Sequence, residues 1–229
     1  MINIIQLTLP SLVVLFLIME VFFRFAIPAA VKPIAVFDEE NKILRSHESQ
    51  RTTGLYTLGK FAEVKANWRT NNFGWNSLID YSEKPIDKPL IAVIGDSFVR
   101  ALQVDVGKDI SSRLRERMQP DYEVYSFGHD GAPLSQHLHV SRYTKKYFDP
   151  DILVFLLVHN DFDVSMASLV SKPYFLQLAV TDDGVKEIQP QGRPLYQFLT
   201  YSATFRYLYS NLKLASIYFN LTQNPEDFN

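Results

Sequence analysis

The chain has 229 residues, of which 47% are hydrophobic and 21% charged, a composition typical of a globular protein long enough to bury a core. Lysine and arginine total 23 against 25 for aspartate and glutamate, and the formal net charge of -2 makes nucleic acid a poor candidate partner. Cysteine is absent, which excludes disulfides, thiolate zinc sites and cysteine nucleophiles.

The first segment of the chain, residues 1–30, is predicted to be a transmembrane anchor. Residues 4–27 are apolar except at Gln6, Thr8, Pro10, Ser11, Glu20 and Arg24. As a helix, about twenty apolar residues span the ~30 Å hydrocarbon layer of a bilayer. Glu20 and Arg24 are four residues apart, so they share one helix face and can pair near the membrane interface.

Two other interpretations of this segment are a cleaved signal peptide and a buried helix of a soluble domain. A signal peptide would carry lysine or arginine before the apolar run, which this chain lacks, and Ala29 and Ala30 offer only a weak cleavage site. The sequence therefore favours an uncleaved anchor. The cations that follow the run, Lys32, Arg45 and Arg51, argue mildly for a cytoplasmic body.

The chain beyond the anchor divides into a connecting region, residues 31–88, and a domain, residues 89–229. The connecting region is polar without a clear period, and short strands are predicted near residues 54–58 and 62–65. In the domain, strands and helices alternate: strand 90–94, helix 109–118, strand 122–127, helix 134–147 and strand 151–158. This alternation predicts an α/β fold with a parallel sheet.

Polar and glycine-rich segments follow each of the three predicted strands, and they are candidates for a site. Ser97 follows the first strand, Gly131 the second and Asn160 the third, all where α/β sheets bind ligands. A serine hydroxyl can attack as a nucleophile, while a glycine N–H and an asparagine amide can hold an oxyanion. Each part alone also fits a helix cap or a turn, but their joint occurrence indicates acyl transfer.

These segments resemble the conserved blocks of the SGNH hydrolases, also called the GDSL family. Residues 90–98, LIAVIGDSF, look like the first block, and residues 124–135 are similar to the glycine block, with Gly131 matching the oxyanion-hole donor. Residues 158–161, VHND, match the asparagine block, although the family more often has glycine where this chain has His159. The resemblance covers residues 88–162. The apolar amino terminus and residues 69–76, RTNNFGWN, also look like membrane-anchored bacterial members.

The resemblance implies a flavodoxin-like three-layer α/β/α sandwich and ester hydrolysis or acyl transfer with Ser97 as nucleophile. The backbone N–H groups of Ser97 and Gly131 and the side chain of Asn160 would hold the oxyanion, and Asp96 is expected to be structural. No metal or organic cofactor is implied. Because anchored members usually face the periplasm or the exterior, the resemblance places a single-pass protein in the inner membrane with its body outside.

One departure from the family concerns the base. The family's Asp-x-x-His block is missing, and none of the histidines fits it: His47, His129, His137, His139 and His159. The favoured interpretation is an amino-terminal piece of a longer protein, which would itself be inactive. The alternatives are that His129 or His159 serves as base, or that the chain is an inactive binding module.

The last part of the chain has a different pattern. A β-hairpin is predicted over residues 174–188 around an Asp-Gly turn, followed by a helical region, residues 195–221, whose aromatic side chains are expected to pack. On the helix predicted at 134–147, His137 and His139 are two residues apart, so they point to different faces and are not expected to bind a metal together.

The sequence therefore predicts a membrane-anchored serine esterase or O-acyltransferase acting on acyl esters, with O-acetyl groups of cell-surface carbohydrate as the favoured substrate. The alternative is an inactive protein of the same fold that binds glycan or partner proteins. A nucleotide-binding sheet is not supported, because the chain has neither Gly-x-Gly-x-x-Gly after the first strand nor a P-loop lysine motif.

Overall fold

The computed structural model describes residues 2–84, 87–192 and 194–214, and it divides the chain into two units. The first unit contains the described residues of Met1–Lys32, Leu55–Lys65 and Pro194–Asn229. The second contains those of Pro33–Gly54 and Ala66–Arg193. The predicted helical region beyond residue 214 lies outside the described residues.

The first unit begins with helix α1, Ile2–Phe25. Its stretch Thr8–Phe25 is long and apolar enough to cross a membrane, and the side chains of residues 8–18 are exposed. Such a helix satisfies its own backbone hydrogen bonds, which is the condition for spanning lipid. The predicted ion pair is also present, with Arg24 Nη2 2.7 Å from Glu20 Oε1. The prediction of an amino-terminal helix suited to a membrane is confirmed.

The rest of the first unit consists of the turn of a β-hairpin with the adjoining strand residues, Leu55–Lys65, and of short helical segments. Strands β3, Thr53–Leu58, and β4, Val64–Arg69, pair with each other close to the positions predicted from the sequence. Within the described residues, the predicted helical region consists of three short segments: α6, Pro194–Leu199; α7, Ala203–Arg206; and a π-helical turn, Tyr207–Asn211. Ser202 interrupts the run because its hydroxyl caps α7, accepting from the backbone N–H of Phe205 at 3.2 Å.

The second unit is built on a three-stranded parallel sheet in the order β6-β5-β7. The strands are β5, Leu90–Gly95; β6, Glu123–Gly128; and β7, Ile152–Leu156. The central strand β5 is buried along its whole length, which explains why it is a continuous apolar run. The predicted parallel sheet is confirmed by the pairing of β5 with both neighbours.

Helices cover both faces of this sheet. They are α2, Ser97–Arg100; α3, Ile110–Met118; α4, Leu134–Tyr147; and α5, Asn160–Ser165. Alternate residues of β5 point to opposite faces. Ala92 and Ile94 pack in a cluster with Val140 of α4, whereas Ile91 and Val93 pack in a second cluster against Leu114 and Met118 of α3.

Two antiparallel hairpins complete the second unit. Strands β1, Ala35–Asp38, and β2, Ile43–Ser46, form the first, and β8, Gln177–Thr181, and β9, Gly184–Ile188, form the second. The second hairpin confirms the prediction from Asp-Gly, because Gly184 has a φ of +116°, a conformation that favours glycine. At the sheet edge, Ile152–Phe155 of β7 remain 38–42% exposed although all are apolar.

Candidate active site

The three segments singled out in the sequence leave the sheet side by side. Gly95 at the end of β5 pairs with Gly128 at the end of β6 and with Leu156 at the end of β7. The backbone N–H of His129 still donates to the Gly95 carbonyl at 3.3 Å, so the first two segments begin in register. The structure therefore brings the three predicted blocks to one carboxyl edge of the sheet, where α/β proteins bind their ligands.

Asp96 and Ser97 form the start of helix α2. The buried carboxylate of Asp96 caps the helix, because its Oδ1 accepts from the backbone N–H of Phe98 at 2.9 Å. Ser97 is half-buried, and its hydroxyl donates to Asp96 Oδ2 at 3.4 Å. The observed cap agrees with the structural role expected for Asp96, which also orients the Ser97 hydroxyl.

Gly128 allows helix α2 to lie directly against the end of β6. A Cβ at this position would lie 2.2 Å from the backbone nitrogen of Arg100 and 2.7 Å from the carbonyl carbon of Val99. Both neighbours are backbone atoms, which cannot rotate away as a side chain can. Gly128 thus sets the position of the helix that begins with Ser97, a role that the sequence analysis missed.

Gly131, the predicted oxyanion-hole donor, lies in a turn after β6. The turn is closed by the backbone N–H of Ala132, which donates to the carbonyl of His129 at 3.1 Å. Gly131 has a φ of +68°, a left-handed conformation that glycine adopts without cost. An added Cβ would meet only the ring of Phe175, at 3.7 Å, so conformation rather than space demands glycine here.

Asn160 is the first residue of α5, and its side chain is exposed. The next residue, Asp161, is buried and accepts from the backbone N–H of Val158 at 3.0 Å through Oδ2. Helix α5 is also tied to α4, because the hydroxyl of Ser165 accepts from the backbone N–H of Ser135 at 3.0 Å. These bonds place Asn160 at the rim of the carboxyl edge on a supported helix.

The buried carboxylate of Asp161 is affected by the nearby charge of Asp96 at this edge. Burial raises the pKa of Asp161, and the nearby charge of Asp96 raises it further. The hydrogen bond from Val158 to Asp161 acts in the opposite direction. Oδ1 of Asp161 has no hydrogen-bond partner among the described residues. The negative charge of Asp96 at this edge therefore disfavours ionisation of Asp161.

His137 of α4 lies in the same electrostatic environment. It is 1% exposed, and neither of its ring nitrogens has a hydrogen-bond partner in the part of the chain that the structure describes. Burial lowers the pKa of His137 to about 4, although the charge of Asp96 acts to raise it. The ring is therefore neutral at physiological pH. The burial could have been predicted, because His137, Val140 and Thr144 share one buried face at helical spacing.

His139, two residues further along α4, has a different partner. Its Nε2 lies 2.8 Å from Oε1 of Glu187 on strand β9. Within the described residues, no three histidine, aspartate or glutamate side chains are grouped so that they could hold a metal ion. His137 and His139 thus have separate environments, as their spacing indicated.

Arg100 ends helix α2 and is another residue that sequence reasoning missed. Its buried guanidinium donates to Ser46 Oγ at 3.1 Å and lies 3.5 Å from Asp130 Oδ2, next to Gly131. Its carbonyl accepts from Asn76 Nδ2 at 2.6 Å. The contacts fasten the far end of the helix that starts at Ser97. No local pattern in the sequence indicates that the arginine three residues after the serine is buried.

Asn76 belongs to the segment 69–76, whose internal hydrogen bonds make it a rigid support. Asn71 Oδ1 accepts from the backbone N–H groups of Phe73 and Trp75, both at 3.0 Å. Trp75 is buried, with its ring edge-on to Phe127 of β6 at a centroid distance of 5.3 Å. The segment therefore braces both α2 and the core next to the sheet edge.

The two histidines considered as bases also follow the strands. His129 is buried with its ring edge-on to Phe175, and its Nδ1 lies 3.3 Å from the carbonyl oxygen of Asp130. His159 is exposed at the start of α5. Both lie on segments that leave the carboxyl edge. The hydroxyl of Ser97 itself donates to the carboxylate of Asp96.

No protein-family model matches the chain, and no curated protein matches it.

Proposed function

We propose that the protein is a membrane-anchored serine esterase or O-acyltransferase of the SGNH type. The observation that carries the proposal is the register of the sheet, in which Gly95, Gly128 and Leu156 end three parallel strands at one level. The candidate residues Ser97, Gly131 and Asn160 all follow these strand ends within four residues.

In the proposed reaction, the Ser97 hydroxyl attacks the carbonyl carbon of an ester. The negative charge that develops on the carbonyl oxygen is held by the backbone N–H groups of Ser97 and Gly131 and by the Asn160 amide. The alkoxy group leaves with a proton, and the acyl group on Ser97 passes to water or to a second hydroxyl. The capped start of α2 and the hydrogen-bonded turn at Gly131 support this role, because both fix the backbone that carries a proposed N–H donor.

The proposed fold is a flavodoxin-like α/β/α sandwich whose parallel sheet has more strands than β6, β5 and β7. Helices on both faces of the sheet support it, as does the exposure of strand β7. Strands that are apolar on both faces normally lie inside a parallel sheet. Ile152–Phe155 are such a strand, yet they are 38–42% exposed, which supports a further strand next to β7.

The proposed location is the inner membrane, with α1 as a single-pass anchor and the catalytic body in the periplasm or outside the cell. The length and apolar surface of Thr8–Phe25 support the anchor. The proposed substrates are acyl esters, and O-acetyl groups on cell-surface carbohydrate suit an enzyme in that place.

The proposal is tested by labelling the membrane-embedded full-length protein with a fluorophosphonate, which reacts with activated serines. Labelling is expected in the full-length wild type and should be abolished in Ser97→Ala. Ser112→Ala is the matched control, because Ser112 is also half-buried and its hydroxyl also donates to a helix-capping carboxylate, Asp109 Oδ2, at 2.6 Å. A folded full-length protein that is not labelled, or a Ser97→Ala variant labelled like the wild type, would refute the catalytic role.

The labelling rates of further variants identify the proton acceptor. If a histidine at the sheet edge takes the proton of Ser97, then either His129→Ala or His159→Ala should slow labelling strongly. Asn160→Ala should lower turnover of a model ester by about 100-fold, as loss of one oxyanion donor does elsewhere. If the folded protein binds acetylated glycans without being labelled, a binding function replaces the enzymatic one.

A further inference from the structure

Four large hydrophobic side chains of the first unit, at the end of α1 and on and just after α6, are more than half exposed. They are Phe25, 80% exposed; Leu195, 69%; Phe198, 71%; and Tyr201, 58%. Single exposed hydrophobic residues are ordinary on protein surfaces, but a group of large ones marks an interaction site. Three of the four lie within seven residues on and just after α6, so one short segment displays most of this surface.

This segment is attached to the end of the apolar helix by Glu20. The carboxylate of Glu20 accepts from the backbone N–H groups of Ala203 at 2.8 Å and Thr204 at 3.0 Å, and from the Ser202 hydroxyl at 2.8 Å. It thereby satisfies the free N–H groups at the start of α7. The start of α7 is thus bound to α1 at the level of residue 20.

A second set of contacts keeps the two parts together. Arg24 donates to Glu20 and to the carbonyl of Tyr201 at 3.2 Å, next to the exposed apolar residues. The ring of Phe23 stacks on Tyr207 with centroids 3.8 Å apart, and Ala203 is fully buried in the same cluster. The attachment therefore combines charged hydrogen bonds with a small apolar core.

The level of this attachment indicates what covers the exposed side chains. Helix α1 begins at Ile2, so 18 residues precede Glu20, which is about 27 Å along the helix axis at ~1.5 Å per residue and close to the ~30 Å of the hydrocarbon layer. The five residues from Glu20 to Phe25 extend about 7 Å further, and the headgroup region on each side of the hydrocarbon core is about 5–8 Å thick. If residues 2–19 span the hydrocarbon, Glu20 and the segment bound to it therefore lie at the boundary between headgroups and acyl chains.

We propose that α6 and the residues up to Tyr201 lie in the membrane interface, with Leu195, Phe198 and Tyr201 inserted among the lipids. The partner is the bilayer itself, on the side where α1 ends. Aromatic residues favour this depth because their rings are apolar while their edges or hydroxyls are polar. The inference rests on the membrane anchoring proposed above, and its effect is to hold α6 against the bilayer surface.

Helical spacing distinguishes the face of α6 that would insert into the membrane from the face that would stay in water. Leu195 and Phe198 are three residues apart and therefore lie on one face of the helix. Gln197, between them in sequence, points elsewhere and is exposed. Membrane insertion of one face and hydration of the other is the behaviour of an amphipathic interfacial helix. Labels at Phe198 and Gln197 should consequently report different environments.

The absence of cysteine allows a direct measurement, because one introduced cysteine is the only labelling site. The full chain would be placed in vesicles of phosphatidylcholine and phosphatidylglycerol, with a fluorescent label at Leu195→Cys, Phe198→Cys, Gln197→Cys or Leu15→Cys. Fluorescence would then be quenched by aqueous iodide and by lipids carrying a nitroxide near the headgroup or near the chain end.

The labels at 195 and 198 are expected to be quenched best by the shallow nitroxide, and several-fold less by iodide than the label at 197. The label at 15 should be quenched best by the deep nitroxide. The interfacial segment is refuted, and the anchor stands, if the label at 15 is quenched best by the deep nitroxide while iodide quenches the labels at 195 and 198 as strongly as the label at 197. If iodide also quenches the label at 15, the anchor is refuted, and the inference that rests on it is refuted too.

Discussion

Replacement of His137 should remove a large part of the acid sensitivity of the second unit. The ring is 1% exposed and has no hydrogen-bond partner among the described residues, so protonation inside the fold would bury an uncompensated charge. Burial lowers its pKa from 6.5 to about 4. Between these values the unfolded chain binds a proton that the folded chain does not. The free energy of unfolding therefore falls as the pH is lowered from 6.5 towards 4.

The size of the effect follows from the two pKa values. At about pH 5 the histidine of the unfolded chain is almost fully protonated while that of the folded chain is mostly neutral, which costs about 2 kcal/mol relative to about pH 7.5. His137→Gln and His137→Leu both remove the titrating ring. Their absolute stabilities should differ because their packing differs, but the loss on acidification should shrink by the same ~2 kcal/mol in both.

The measurement is urea unfolding of the full chain in a mild detergent at the two pH values. Trp68 and Trp75, the two tryptophans of the chain, are both buried in the second unit, so their fluorescence reports its unfolding. If wild type and both variants lose the same stability between the two pH values, the assignment of acid sensitivity to His137 is wrong.

Two further variants test the packing and the charge of the same edge. Gly128→Ala should cost at least about 3 kcal/mol in the same urea assay, because its methyl group meets the backbone of Arg100. The control Gly192→Ala, with no atom of the described residues within 4 Å of the added Cβ, should change stability by less than about 1 kcal/mol; similar costs for both would disprove the close contact. The pKa of Asp161 is higher in the folded chain than in the unfolded chain, so the neutral carboxyl group stabilises the fold. This stabilisation is lost as the pH rises through the pKa of the folded chain. Asp161→Asn cannot ionise, so its melting temperature relative to the wild type should be higher at about pH 7 than at about pH 4. An equal difference at both pH values would contradict this.

The elements that local patterns specify were predictable from the sequence. Helix α4 runs over the predicted residues 134–147, because Pro133 fixes its start and Asp149-Pro150 prevents its continuation. The buried strand β5 and the Asp-Gly hairpin were likewise expected. In each case residues adjacent in sequence decide the conformation, through periodicity, a cap or a turn that needs glycine.

It was also predictable that the three candidate segments leave the sheet at the same edge, since parallel strands end at one edge. The assignment of Ser97, Gly131 and Asn160 to a catalytic reaction stays a prediction. The region expected to be helical over residues 195–221 is helical within the described residues, but it is divided, because the Ser202 cap and the Glu20 carboxylate begin a new helix at Ala203. Phe205 and Tyr209 do pack as expected, with stacked rings, whereas Phe198 is exposed.

The sequence by itself therefore determined the apolar amino-terminal helix, the alternation of strands and helices, and the residue types available at each strand end. Only the tertiary structure decided which polar groups are buried together. Asp96 and Asp161 are 65 positions apart, yet the charge of Asp96 acts on the pKa of Asp161; Glu20 and Thr204 are 184 apart, yet they share a hydrogen bond. Local propensity carries no information on such pairs, because their energies depend on desolvation and distance that exist only once the chain has folded.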